Sequence, residues 1–134
     1  MLTDWPPVAV ALAFVDRVNH GDLVGLARVM TGDHELRVHD EPPVQGRDAN
    51  VEAWQGYFGS FPGYRICPLR IAEAGDRVAV LGYTVGSHLG LPDDEERLLP
   101  VTWTAEVTDG AVRVWRVLED TADRRRELGL DDGS

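Results

Sequence analysis

After Pro6-Pro7, apolar residues recur at Val8, Leu12, Val15 and Val18, and Phe14 widens the stripe. Spacings of three and four describe one helical face, and proline is tolerated in a first turn. A helix is therefore expected up to Asn19, with Thr3 and Asp4 as candidate caps and His20-Gly21 as its stop. Asp22 can cap a second, short helix whose apolar face is Leu23, Leu26, Ala27 and Met30, ending near Gly32. "HELRVHDEPP" then reads as a strand halted by two prolines, which cannot donate to a ladder. A third helix follows "QGRDAN", with Val51, Trp54, Phe58 and Phe61 as its stripe, and Phe61-Pro62-Gly63 breaks it.

From Tyr64 onward the period changes from helical spacing to alternation. "YRICPLRIAEA" turns at Gly75-Asp76 into "RVAVLGYTVGSHLG", and the acidic tip "PDDEE" leads to "RLLPVTWTAEV". Asp109-Gly110 is a hairpin signal leading to "AVRVWRVLED", and "TADRRRELGL" closes the chain as a helix. Val101, Trp103, Ala105 and Val107 alternate with Thr102, Thr104, Glu106 and Thr108, which predicts one dry and one wet side. The preceding strand has Val78 and Val80 on one face and Ala79, Leu81, Tyr83 and Val85 on the other. A strand apolar on both faces is covered on both, here by helices on one side and, as an expectation, a second subunit on the other. Helices first and a four-strand meander afterwards define an α+β domain with helices packed on a curved, mostly antiparallel sheet.

Composition narrows the function. At 134 residues, 43% of them apolar, the chain is read as one domain over 1–134 with its core at about 8–130. A net charge of −10 argues against nucleic-acid binding. All 13 basic residues are arginine, which excludes Schiff-base chemistry on a lysine side chain and a P-loop lysine. Arg124-Arg125-Arg126 lies among Asp120, Asp123 and Glu127 and reads as a solvated helix face. No stretch is long and apolar enough for a membrane span. The opening residues lack the basic start and cleavage site of a signal peptide. The lone Cys67 forbids an internal disulfide, so a cytoplasmic location is expected.

The order and punctuation of these segments resemble the nuclear transport factor two-like superfamily, and within it the SnoaL-like polyketide cyclase group. The resemblance rests on "NHGDLVGL", "QGRDANVEAW", "GSHLGLP", "TDGAV" and "WRVLEDTADRRRELGL", and extends from about Val8 to Leu130. It implies a cone-shaped, curved mixed sheet wrapped around the N-terminal helices, with a pocket at the open end. With the doubly apolar strand and the large aromatic residues, the expected partners are a second copy of the chain and a small hydrophobic or aromatic molecule, and no cofactor is expected. Fold alone does not choose a chemistry.

Asp120 stands where SnoaL-like cyclases carry an acid/base aspartate before the final helix. A carboxylate against an apolar wall has its basicity raised, as proton abstraction beside a carbonyl requires. An aspartate before "TADRRREL" is equally a helix cap. His88 follows two glycines whose missing side chains either leave room for a ligand or bend the strand. His39, beside Asp40, is a second candidate for polarising an oxygen. Trp54, Tyr57, Phe58, Trp103 and Trp115 are expected around a cavity, where a flat ligand would stack, and would equally fill a core. Arg116 faces inward if the last strand is regular and outward if it carries a bulge. His34 and His39 have opposite strand parity and no metal-binding spacing occurs, so no metal site is expected. The resemblance also sets this chain apart from ketosteroid isomerases. Phe14 stands at their tyrosine, Thr102 near their acid, and only Asp40 near their base. Two readings stand: a cofactor-independent cyclase or isomerase acting on a carbonyl compound, and a non-catalytic binding or assembly protein.

Overall fold

A computed structural model describes residues 5–131; the candidate caps Thr3 and Asp4 lie outside them. The chain runs α1 (Pro7–Asn19), α2 (Leu23–Arg28), β1 (Met30–Val38), β2 (Val44–Gln45), α3 (Arg47–Ser60), β3 (Arg65–Ala74), β4 (Arg77–Val85), α4 (Asp93–Glu96), β5 (Val101–Thr108), β6 (Ala111–Glu119) and α5 (Ala122–Glu127). One curved six-stranded sheet has the order β2-β1-β6-β5-β4-β3. The expected meander β3 to β6 is antiparallel throughout, while β1 joins β6 in parallel, so the sheet is mixed.

Pro6 and Pro7 start α1 without a side-chain cap. The buried face is Val10, Ala11, Phe14, Val15 and Val18, not the expected stripe through Leu12, which is exposed. At about 100° per residue, Leu12 lies about 60° beyond Val15, outside the arc the others share. α1 crosses β3 to β6, and α3 lies on β1. Asp22 caps α2 by accepting from the Gly25 amide, but Met30 begins β1 rather than ending that helix. "PDDEE" is not a loose acidic tip: it forms α4, whose Glu96 is buried.

Between α1 and the sheet, Phe14 stacks on Trp115 with ring centroids 4.6 Å apart, and Trp115 stacks on Trp103 at 6.5 Å. The second face of the sheet departs from the wet side expected of β5, because Thr102 and Thr104 are buried there. Ala79 and Leu81 on that face are covered by Leu130, with Ala72 and Leu128 packed around them. The doubly apolar strand that suggested a second subunit is thus sealed at these positions by the chain's own C-terminal segment.

A bulge decides the orientation of the last strand. Glu106 pairs with Val114, but Val107 pairs with Val112, so Arg113 is the extra residue. Beyond the bulge Trp115 and Val117 belong to the helix-facing core, and alternation turns Arg116 and Leu118 to the other face.

Candidate functional site

The stretch Gly86-Ser87-His88 does not continue β4, which ends at Val85. Gly86 has φ +68°, and a Cβ there would lie 2.4 Å from the Gly63 carbonyl oxygen. At Gly82 a Cβ would meet the Cys67 carbonyl oxygen at 2.2 Å. Both glycines therefore admit neighbouring backbone, not a ligand. The turn that Gly86 permits carries His88 back toward α3. There the Tyr57 hydroxyl accepts from the His88 amide at 3.2 Å and lies 2.8 Å from His88 Nδ1. The phenol can donate its own hydrogen to Nδ1 or accept one from it, according to the tautomer of the ring.

The turn is held from beneath by Glu96, which is 1% exposed. Its carboxylate accepts a very short hydrogen bond from the Thr84 hydroxyl and a longer one, 3.4 Å, from the Ser87 amide. Among the described residues no cation pairs with it, so a buried carboxylate rests on neutral donors at the rim. Burial, followed by the Glu96 charge as a smaller cause, raises the Tyr57 pKa against the lowering effect of its bond to the His88 amide. Burial raises that of Tyr64 further. Both phenols therefore remain protonated donors near neutrality.

A run of ring contacts leads inward from this rim. Tyr57 meets Trp54 edge-on at 6.2 Å, Trp54 meets Phe14 at 6.4 Å, and Phe14 meets His34 at 5.7 Å. Asn50 and Trp54 lie one turn apart on α3 and so share a face. The Asn50 amide nitrogen donates to the carbonyls of His34, Val44 and Gly46, tying α3 to β1.

His34 and Asn50 are 0% exposed. His34 Nδ1 lies 2.6 Å from the Val112 carbonyl oxygen, which can only accept. The neutral ring must therefore carry its hydrogen on Nδ1, leaving Nε2 as a bare acceptor. Desolvation is the largest cause acting on this ring and lowers its pKa, outweighing the carbonyl bond that raises it. Nε2, Asn50 Oδ1 and Trp54 Nε1 are buried without a hydrogen-bond partner. Two acceptors and one N–H donor thus stand unsatisfied in an aromatic interior, the condition that a ligand or ordered water relieves.

Sequence reasoning named Tyr57, Trp54 and His88, and the structure brings His88 onto Tyr57. It did not single out Glu96, Asn50 or the unpaired edge of His34. Asp120 lies elsewhere. Arg125 grips its carboxylate with two hydrogen bonds of 2.7 and 2.6 Å, and Thr102 donates a third at 3.3 Å. Those Arg125 bonds hold its pKa below the usual carboxylate value, opposite to the raised basicity expected of a base. The cap of α5 is Thr121, which accepts from the Arg124 amide, and not Asp120. Thr102 pairs with Leu118 on the far face of the sheet, so the position compared with an isomerase acid does not face the helices. His39 sits exposed in the turn after β1 with φ +49°, its amide donating to the Val117 carbonyl. Trp103 and Trp115 are core, while Phe58 is half-buried beside Trp54 at 5.5 Å. Among the described residues, no group of three or more His, Cys, Asp or Glu could hold a metal ion, and no helix is long and apolar enough to cross a membrane.

The sequence profile of the SnoaL-like domain matches residues 11–116. The chain belongs to this SnoaL-like domain family. Solved structures agree in fold. A candidate polyketide cyclase from Sinorhizobium meliloti is 20% identical, with a TM-score of 0.70 over 88% of this chain and 99% of that one. A candidate SnoaL-like polyketide cyclase from Jannaschia sp. CCS1 is also 20% identical, with a TM-score of 0.69 over 93% and 92%. TerC, crystallised with polyporic acid, is 22% identical, with a TM-score of 0.68 over 92% and 97%. No curated protein sequence matches the chain at a significant level.

Proposed function

We propose that this SnoaL-like protein binds a small aromatic or polycyclic carbonyl compound between α3 and the sheet. There it moves a proton at that compound without a cofactor, as a cyclase or isomerase does. The observation that carries the reading is the unpaired Nε2 of His34, with a second unpaired group, the Trp54 N–H, in the same aromatic core, where Phe14 contacts both rings. A neutral imidazole with a fixed tautomer is a base already in its accepting form. The indole N–H could hydrogen-bond the oxygen on which negative charge develops during enolisation, as a preorganised donor. His34 is fully covered, so the run of rings from Tyr57 through Trp54 to Phe14 must rearrange before a ligand reaches it, and the Tyr57–His88 contact at the rim is the natural place for that opening. Asp120, held by Arg125, has no part in this reading. The fold relative crystallised with polyporic acid supports an organic ligand in general.

The test is a thermal-shift and calorimetric panel of aromatic and polycyclic ketones, naphthols and quinones against wild type, H34F and W54F. A binding compound that stabilises wild type and loses most of its effect in both variants, with circular dichroism unchanged, supports the reading. A panel that binds nowhere, or binds H34F and W54F as well as wild type, removes it.

A second reading, a non-catalytic binding protein on the same fold, is favoured by the closure of the interior, since Trp54, Trp103 and Trp115 are all buried. Recovery of every bound compound chemically unchanged after prolonged incubation would select it.

A further inference from the structure

On the face of the sheet turned away from His34, a groove of about 650 Å³ lies between β5–β6, the β3–β4 turn and α5. Leu118 and Leu128 supply apolar lining, and Arg77, Arg113, Arg116 and Arg124 supply guanidinium groups. Three carboxylates share the groove, those of Asp76, Glu106 and Glu127. Glu106 is already paired with Arg113 at 2.7 Å. Arg124 donates to the Glu119 carbonyl, which leaves its charge unneutralised. Arg116 is half-buried, and among the described residues its side chain forms neither an ion pair nor a hydrogen bond. The side chain of Arg77 is likewise unpaired.

In a chain of net charge −10, a concavity where arginines outnumber acids is a local reversal of the field. Taking a guanidinium partly out of water without an acceptor is costly, and a carboxylate matches its fork with two parallel bonds. Volumes of about 300–1,000 Å³ are those of small-molecule sites. We infer that this groove binds a small organic carboxylate with an apolar body, the carboxylate on Arg116 and the body along Leu118 and Leu128. The site is independent of the His34 reading, because alternation along β6 places Trp115 and Arg116 on opposite faces.

The probe is 2-naphthoate, with the neutral 2-naphthalenemethanol as its uncharged counterpart. Binding is read by calorimetry and by the NMR signals of the arginine Nε–H groups. Naphthoate should bind, shift the Arg116 Nε–H signal and weaken as salt rises. The alcohol, and naphthoate on R116Q, should each bind about 10-fold more weakly, the loss of one charge-assisted hydrogen-bonded pair. H34F should leave naphthoate binding unchanged, which separates this site from the interior one. The inference fails if naphthoate does not bind, if acid and alcohol bind alike, or if H34F rather than R116Q abolishes binding.

Discussion

The ring of His34 and the carbonyl of Val112 stand 78 residues apart in sequence and 2.6 Å apart in space. The contact follows from an irregularity in β1, where Met30 pairs with Val112 but Glu35 already pairs with Val114. Four residues of β1, His34 among them, stand between those pairs against the single Arg113 of β6, and a carbonyl that a regular ladder would have used meets a side chain instead. That single bond selects the tautomer of a buried histidine.

The lowered pKa of His34 has a consequence for stability. Its native form resists protonation, whereas the unfolded chain takes up a proton near the ordinary value of 6.5. Below that pH the unfolded state binds more protons, so stability should fall as pH drops from about 6.5 toward the folded pKa. In H34Q that part of the slope should vanish. Melting temperatures of both proteins between pH 7.5 and 5 would check this; parallel curves would contradict it.

Asp120 has the opposite relation to pH. Its folded pKa lies below the unfolded one, so it stabilises the fold above the unfolded value and loses that contribution as pH falls through the folded pKa. R125M should cost about 1–3 kcal/mol at pH 7 and move acid unfolding to higher pH. Because Arg125 and Asp120 are remote from His34, binding to the interior should survive in this variant. Urea titrations at pH 7 and pH 3 would measure both effects.

Gly82 and Gly86 should resist substitution for different reasons. G82A drives a Cβ into the Cys67 carbonyl, which should part β3 from β4 and cost at least about 2 kcal/mol. G86A adds a left-handed φ to a clash with Gly63, and should also release His88 from Tyr57. Hydrogen exchange at the His88 amide, protected in wild type and G82A but fast in G86A, would distinguish the two.

Much of the fold was written in local pattern. Alternation located every strand from β3 to β6, Asp22 announced α2, and Phe61-Pro62-Gly63 marked where α3 ends. What escaped was set by tertiary geometry. Glu96 sits in a run of acids that reads as a solvated tip, and nothing nearby says that one of them turns under Thr84 and Ser87. His34 reads as one more polar residue in an edge-like strand until β6 arrives beside it. Arg116 hung on a single inserted residue, because one bulge reverses every later side chain. Asp120 was placed by analogy along the chain, and its partner five residues on, Arg125, was read only as part of a charged surface.

The parallel pairing of β1 with β6 also constrains how the molecule comes into being. During vectorial synthesis β1 leaves the ribosome some eighty residues before its principal neighbour, with only the two-residue β2 as a strand partner and α3 over one face. Until the final third of the chain emerges, that nascent edge is an open template for other polypeptides, so crowded or overexpressing cells should yield misassembled protein through this early strand rather than through the late meander.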